Sequence, residues 1–276
     1  MSESTFVSLG KATPKKNKKS HTPSSIQADT LFTFMPKLDF LLALIKTGMI
    51  SPRFCTEDIK YLKIPKIKKV AYPMKCFCDI NLHRLAEHLE WYGYYGVAFS
   101  KEWGMDNGIQ PVQYINPDSY LRDDFTKAFS AALKYSGNEN ATYRKLTGYL
   151  LHDLMYLKPY DGKMKNRNTN KTCKKCFTDE CEWRFVPDVT IEGYEQIYHD
   201  SDLLNDVFLN DASNSLQGKS SVSLKFNYCD IKYIIVKNSA DFELLTTAIT
   251  NLNLTDIEEK ELVSKIIIWE TAKGDF

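Results

Sequence analysis

Apolar and polar residues along this chain repeat with two different periods, and the changes of period mark its elements. Leu31-Phe32-Thr33-Phe34 is a short aromatic run with one polar place, as expected of a strand lining a cleft. Leu38-Asp39-Phe40-Leu41-Leu42-Ala43-Leu44-Ile45 is apolar on nearly every side and predicts a buried helix, with Gly48 as its C-terminal cap. Residues 51–72 are polar, rich in lysine and interrupted by proline, which predicts a loop that cannot pair into a central strand. Met74-Lys75-Cys76-Phe77-Cys78-Asp79 predicts a buried strand, and Asn81 can cap a helix from Leu82 to about Tyr92. Residues 96–100 and 111–115 predict two strands, paired antiparallel about the Gly-containing turn 103–108.

Helical spacing returns in Phe125, Ala128, Phe129 and Ala132 and in Leu146, Tyr149, Leu150 and Leu154, so residues 122–136 and 141–157 predict a helical hairpin. A basic loop follows, from Gly162 through Lys175, and then strands at 183–187 and within 224–236. Two helices close the chain, at about 239–250 and from the capping box Thr255-Asp256-Ile257-Glu258 to about Trp269. No repeat of solenoid period is present, and the element order lacks regular βαβ alternation. The fold class is therefore α+β.

The 276 residues, 43% of them hydrophobic and 26% charged, suffice for one sizeable core. The net charge of +1 hides an asymmetry: residues 1–28 hold five Lys and one Glu, leaving −3 for the remainder. That basic segment has almost nothing apolar after Leu9, so a disordered tail over 1–28 and a single α+β domain over 29–276 are expected. The tail serves either as an electrostatic tether to nucleic acid or as a solubilising leader. No stretch is apolar enough to span a bilayer, which points to a cytoplasmic protein without membrane contact. The seven cysteines are odd in number and unevenly spaced, as expected of reduced thiols.

Phosphate-binding loops of the Walker or Rossmann type and the Gly-x-Ser-x-Gly elbow are absent. His83 and His88 are five apart, whereas a helical zinc-binding pair is spaced by four, and Cys173, Cys176 and Cys181 lack a second Cys-x-x-Cys partner half. No metal is expected. The segment Asp179-Glu180-Cys181-Glu182-Trp183-Arg184 is more informative. On extended backbone Glu180 and Glu182 share a face, an arrangement suited to stabilising an oxocarbenium ion on a ribose and activating a nucleophile. Taken alone, these six residues read more readily as an acidic strand edge paired with neighbouring lysines.

Several segments together resemble the AbiGi family of bacterial abortive-infection proteins, described as the antitoxin part of phage-resistance systems. The likeness runs through Leu31–Phe34, Ser51-Pro52-Arg53-Phe54, Cys76-Phe77-Cys78-Asp79-Ile80, Tyr92-Gly93-Tyr94-Tyr95-Gly96, Pro111-Val112-Gln113-Tyr114, the segment 179–187 and the strand 230–236, covering roughly residues 29–240. The same order of features is more distantly similar to DarT-type ADP-ribosyltransferase toxins, which implies a split β-sheet core, with the helical hairpin and C-terminal helices added to it. By that resemblance NAD is the substrate, Glu182 stabilises the oxocarbenium ion and Glu180 orients or deprotonates the acceptor. Thr33, Phe34, Arg53, Phe77, Cys78 and Tyr94 then hold NAD. Thr33 stands where the family pattern has His or Arg, a departure that weakens the case for activity.

Two functions follow. The first is an NAD-dependent mono-ADP-ribosyltransferase toxin acting on RNA or DNA, its acceptor held by Lys163, Lys165, Arg167, Lys171, Lys174 and Lys175, and restrained by an antitoxin or a chaperone. The second is a non-catalytic antitoxin that neutralises a partner toxin by protein–protein binding. The aromatic run Trp91-Tyr92-Gly93-Tyr94-Tyr95 then reads as a binding hot spot, or equally as a packed helix end. A third reading, a nucleic-acid-binding module without catalysis, sits poorly with the −3 charge of the body.

Overall fold

The computed structural model describes residues 22–134, 140–166, 169, 171–199 and 203–275. All five lysines of the anticipated tail, and Arg167, lie outside the described residues.

The first strand, β1 (Thr30–Met35), leads into α1 (Leu38–Thr47), and Gly48 closes the helix in the left-handed conformation at φ 61°, its N–H on the Leu44 carbonyl. Next come β2 (Met49–Ile50), β3 (Arg53–Asp58) and the ten-residue β4 (Lys69–Cys78). The polar stretch 51–72 is thus a β-hairpin limb and not the expected loop, because Val70, Tyr72 and Met74 alternate into a core that the intervening lysines and proline mask in sequence. Asn81 does not cap the next helix; its amide donates to the Ile26 carbonyl, and a tight turn at Leu82–Arg84 precedes α2 (Leu85–Tyr92).

After α2 come β5 (Tyr95–Ser100), α3 (Lys101–Asp106), β6 (Gln110–Pro111) and β7 (Gln113–Ile115). Here the expected antiparallel pair fails. Residues 101–106 are helical, started by the Ser100 side chain accepting from the Trp103 N–H, and β5 lies between other strands. The helical pair α4 (Tyr120–Lys134) and α5 (Ala141–Tyr156) runs straight into β8 (Leu157–Pro159). The expected basic loop is itself a hairpin, β9 (Asp161–Lys165) with β10 (Thr172–Cys176). Then follow β11 (Glu182–Phe185), an unanticipated α6 (Asp206–Leu216), β12 (Leu224–Lys225), β13 (Ile231–Val236) and α7 (Ser239–Thr250). The Thr255–Glu258 capping box starts α8 (Asp256–Ser264), which stops short of Trp269. The β-branched Ile266-Ile267-Ile268 forms β14 (Ile266–Ile268), parallel to β13, before the short α9 (Trp269–Ala272).

The main sheet runs β14-β13-β5-β1-β4-β11-β6, with β3 also on β4; only β13–β14 is parallel. One face carries Leu31, Phe77, Val97, Phe99 and Ile234 under α1, α7 and α8. The other carries Phe32, Cys78, Ala98 and Ile235 under α2 and Trp269. A further core joins Tyr72, Met74 and Val70 of β4 to Phe125, Phe129, Leu154 and Met155 of α4 and α5. Fold class α+β holds. Nothing among solved structures matches this chain, so a split-sheet transferase core stays without support from structural neighbours.

Candidate functional site

The segment 177–185 does not stay extended. Residues Phe177–Glu180 form a tight turn, Cys181 takes a left-handed φ of 42°, and β11 begins only at Glu182. Glu180 and Glu182 nevertheless meet, because Lys158, just beyond the end of α5, projects its ammonium between them and bonds both carboxylates. Arg184, two places along the strand and so on the same face, donates from Nε to Glu182 Oε1 at 2.7 Å and from Nη2 to Oε2 at 3.3 Å. Its Nη1 reaches the Tyr72 hydroxyl at 2.5 Å and the Met155 carbonyl at 2.8 Å. Glu180 accepts further bonds from the Tyr92 hydroxyl and, at 2.8 Å, from Lys175. Arg184 is 0% exposed and Glu182 5%.

Burial alone would push both carboxyls up. The positive charges outweigh it: Arg184 and Lys158 hold Glu182 well below the usual carboxylate range, and Lys158 with Lys175 does the same for Glu180. Burial likewise presses on Lys158, but the two carboxylates win and keep it protonated. His88, its ring tilted against Tyr92 with centroids 4.5 Å apart, is pushed down to about 3 by burial and then by the Lys175 charge, and so stays neutral.

The anticipated NAD residues do not assemble around Glu182. Directly paired strand residues share a face, which puts Phe32, Cys78 and Glu182 together on one side; Thr33 and Phe77, one place along, point to the opposite side, under α1. Thr33, Phe77 and Cys78 are all buried. Arg53 is four places from Cys78 along the β4 ladder, roughly 13 Å away, and its guanidinium is spent on Asn210 at 2.7 Å and Asn214 at 3.4 Å on α6. Phe34 does lie on the carboxylate side, in a row with Phe32 and His88, while Tyr94 sits under the Lys237 ammonium. Cys76, beside Arg184 in the ladder, is exposed. A cavity of about 580 Å³ between the end of α1, residues 225–229 and α8 is lined by none of these residues. Among the described residues no group of three or more His, Cys, Asp or Glu is arranged to hold a metal.

Of the lysines expected to hold nucleic acid, Lys175 is turned inward onto Glu180 and between the Trp91 and Tyr92 rings, each 4.6 Å away. Lys163, Lys165, Lys171 and Lys174 are exposed on the hairpin. The aromatic run is accordingly half-buried packing: Tyr92 serves Glu180, and Tyr95 donates to Asp241 at 3.0 Å. Gly93 is required there, since a Cβ at its φ of 111° would meet the Met35 carbonyl oxygen at 2.3 Å.

Lys158 and Tyr72 had no signal in the local sequence, and Tyr92 only that of the aromatic run, because each arrives from a different element. Arg184 did have one, as the alternation Glu182-x-Arg184 in a strand places the two side by side.

The family model described as "abortive phage resistance protein AbiGi, antitoxin" matches residues 48–237. An "Abortive phage resistance protein AbiGi" from Lactococcus lactis subsp. cremoris is 32% identical over 245 residues, covering 82% of this chain and 98% of the relative.

Proposed function

Since the chain belongs to the AbiGi family of abortive phage resistance proteins, we propose that it serves anti-phage defence as a non-catalytic antitoxin, neutralising a partner toxin by protein–protein binding. The observation that carries this reading is the saturation of Glu182. A carboxylate that stabilises an oxocarbenium ion must face substrate, whereas both oxygens of Glu182 are taken by Arg184 and Lys158 in a closed surround. The antitoxin description of the family supports the same choice. No helix among the described residues is long and apolar enough to cross a membrane.

ADP-ribosyl transfer from NAD to nucleic acid, with a restraining antitoxin or chaperone, is the second reading. The meeting of Glu180 and Glu182 about Lys158 favours it. It would need Lys158 to swing away from both carboxylates.

Expression of the chain alone in bacteria separates the two. The antitoxin reading expects unimpaired growth, no ADP-ribose on nucleic acid or protein, and restored growth on co-expression with the toxin gene of its own locus. Growth arrest accompanied by labelled RNA or DNA would overturn it.

A further inference from the structure

From the β9–β10 hairpin we infer that its outward face docks the phosphate backbone of a nucleic acid, independently of any catalysis at Glu182 and of toxin binding. The ladder register separates two faces. Inward, Gly162 lies against the Phe177 ring, so that a Cβ there would come within 2.7 Å of it, Met164 meets the Tyr92 hydroxyl, and Lys175 bonds Glu180. These contacts fix the hairpin to the body. Lys163 and Lys165 point the other way from β9, Lys174 faces Lys163 directly across the ladder, and Lys171, outside the ladder, stands exposed just ahead of β10.

Like charges directly opposite in a sheet destabilise it. Lys174 is relieved by Asp161 at 2.7 Å, but Lys163, Lys165 and Lys171 have no carboxylate partner among the described residues. The fold therefore tolerates a self-repelling cationic ribbon that its own packing does not need. A polyanion removes that repulsion. Lysine is depleted in protein–protein interfaces, while phosphate backbones recruit it as a point charge, and a two-stranded ribbon is narrow enough to enter the DNA major groove.

The test uses the full chain and fluorescein-labelled 20-mers, one a DNA duplex and one single-stranded RNA, in anisotropy titrations at several salt concentrations. Binding of either with log affinity falling linearly in log salt is expected, and the probe bound more tightly identifies the source of the backbone. The triple substitution Lys163→Glu, Lys165→Glu, Lys171→Glu is expected to weaken binding by about tenfold or more and to make the salt slope shallower by about 2–3. Its charges are exposed and it relieves the Lys163–Lys174 repulsion, so it should melt no lower than wild type. If it fails to fold, the milder Lys163→Gln, Lys165→Gln pair, expected to flatten the slope by about 1–2, takes its place. Failure of the wild type to bind either probe, an unchanged slope in the variant, or equal competition by polyglutamate would overturn the assignment. The last result would mark an acidic protein as the occupant. Toxin neutralisation by the triple variant reports separately on the antitoxin reading.

Discussion

Replacing Glu182 by Gln is the sharpest test of how the interior charge cluster is built. Three cations, Lys158, Lys175 and Arg184, face three carboxylates, Glu57, Glu180 and Glu182, so the cluster is neutral as it stands. Gln keeps the shape but leaves one positive charge uncompensated around Arg184, whose remaining carboxylate neighbour is Glu57 at 3.6 Å. Removing one partner of a buried pair costs about 3–5 kcal/mol. Against a total stability of about 5–15 kcal/mol that is a large share, and for a domain of this size it corresponds to a fall of about 6–20 °C in melting temperature. Differential scanning calorimetry at pH 7.5 reads the shift. Adding Lys158→Met restores neutrality and should recover part of the loss, a coupling that the double-mutant cycle isolates. If Glu182→Gln melts within about 2 °C of wild type, the carboxylate does not hold the fold together, and the argument for its being structural is refuted.

Two further outcomes follow from buried titratable groups. His88 is held neutral in the fold, with its value lowered to about 3, whereas the unfolded chain takes up the proton near 6.5; stability should therefore begin to fall as pH drops below about 6.5. Glu180 and Glu182, depressed below their ordinary 4.5, add to that loss only at lower pH. His88→Phe keeps the ring contacts with Phe34 and Tyr92 and should flatten the pH dependence of urea unfolding between pH 6.5 and 5; an unchanged slope would count against the assignment. The second concerns Asp79 and Lys101, paired at 2.7 Å with side chains 2% and 5% exposed. Either Asp79→Leu or Lys101→Met alone should cost about 3–5 kcal/mol, while the double variant should come out near neutral in denaturant melts; strictly additive losses would contradict a coupled pair.

Local patterns in the sequence were enough to determine β1, α1 with its Gly48 cap, α7 and the start of α8, because periodicity, caps and β-branched runs act over a few residues. They also singled out Glu180 and Glu182. What they could not carry was the pairing of distant strands. Lysines and a proline concealed β3 and the first half of β4; tertiary contacts, of β3 with α6 and of β4 with α4 and α5, decided that they are strands. An isoleucine run continuous with a capped helix became β14, because β13 offered it a parallel edge. The site follows the same rule. Lys158 reaches the carboxylates from just beyond α5 and Tyr92 from α2, while Tyr72 holds Arg184 from β4, three positions brought together only by the packed sheet. Sequence marks Glu182 as a carboxylate on a strand. Burial beside Arg184 and Lys158, which only the fold supplies, turns it from an open acid into one half of a saturated ion pair.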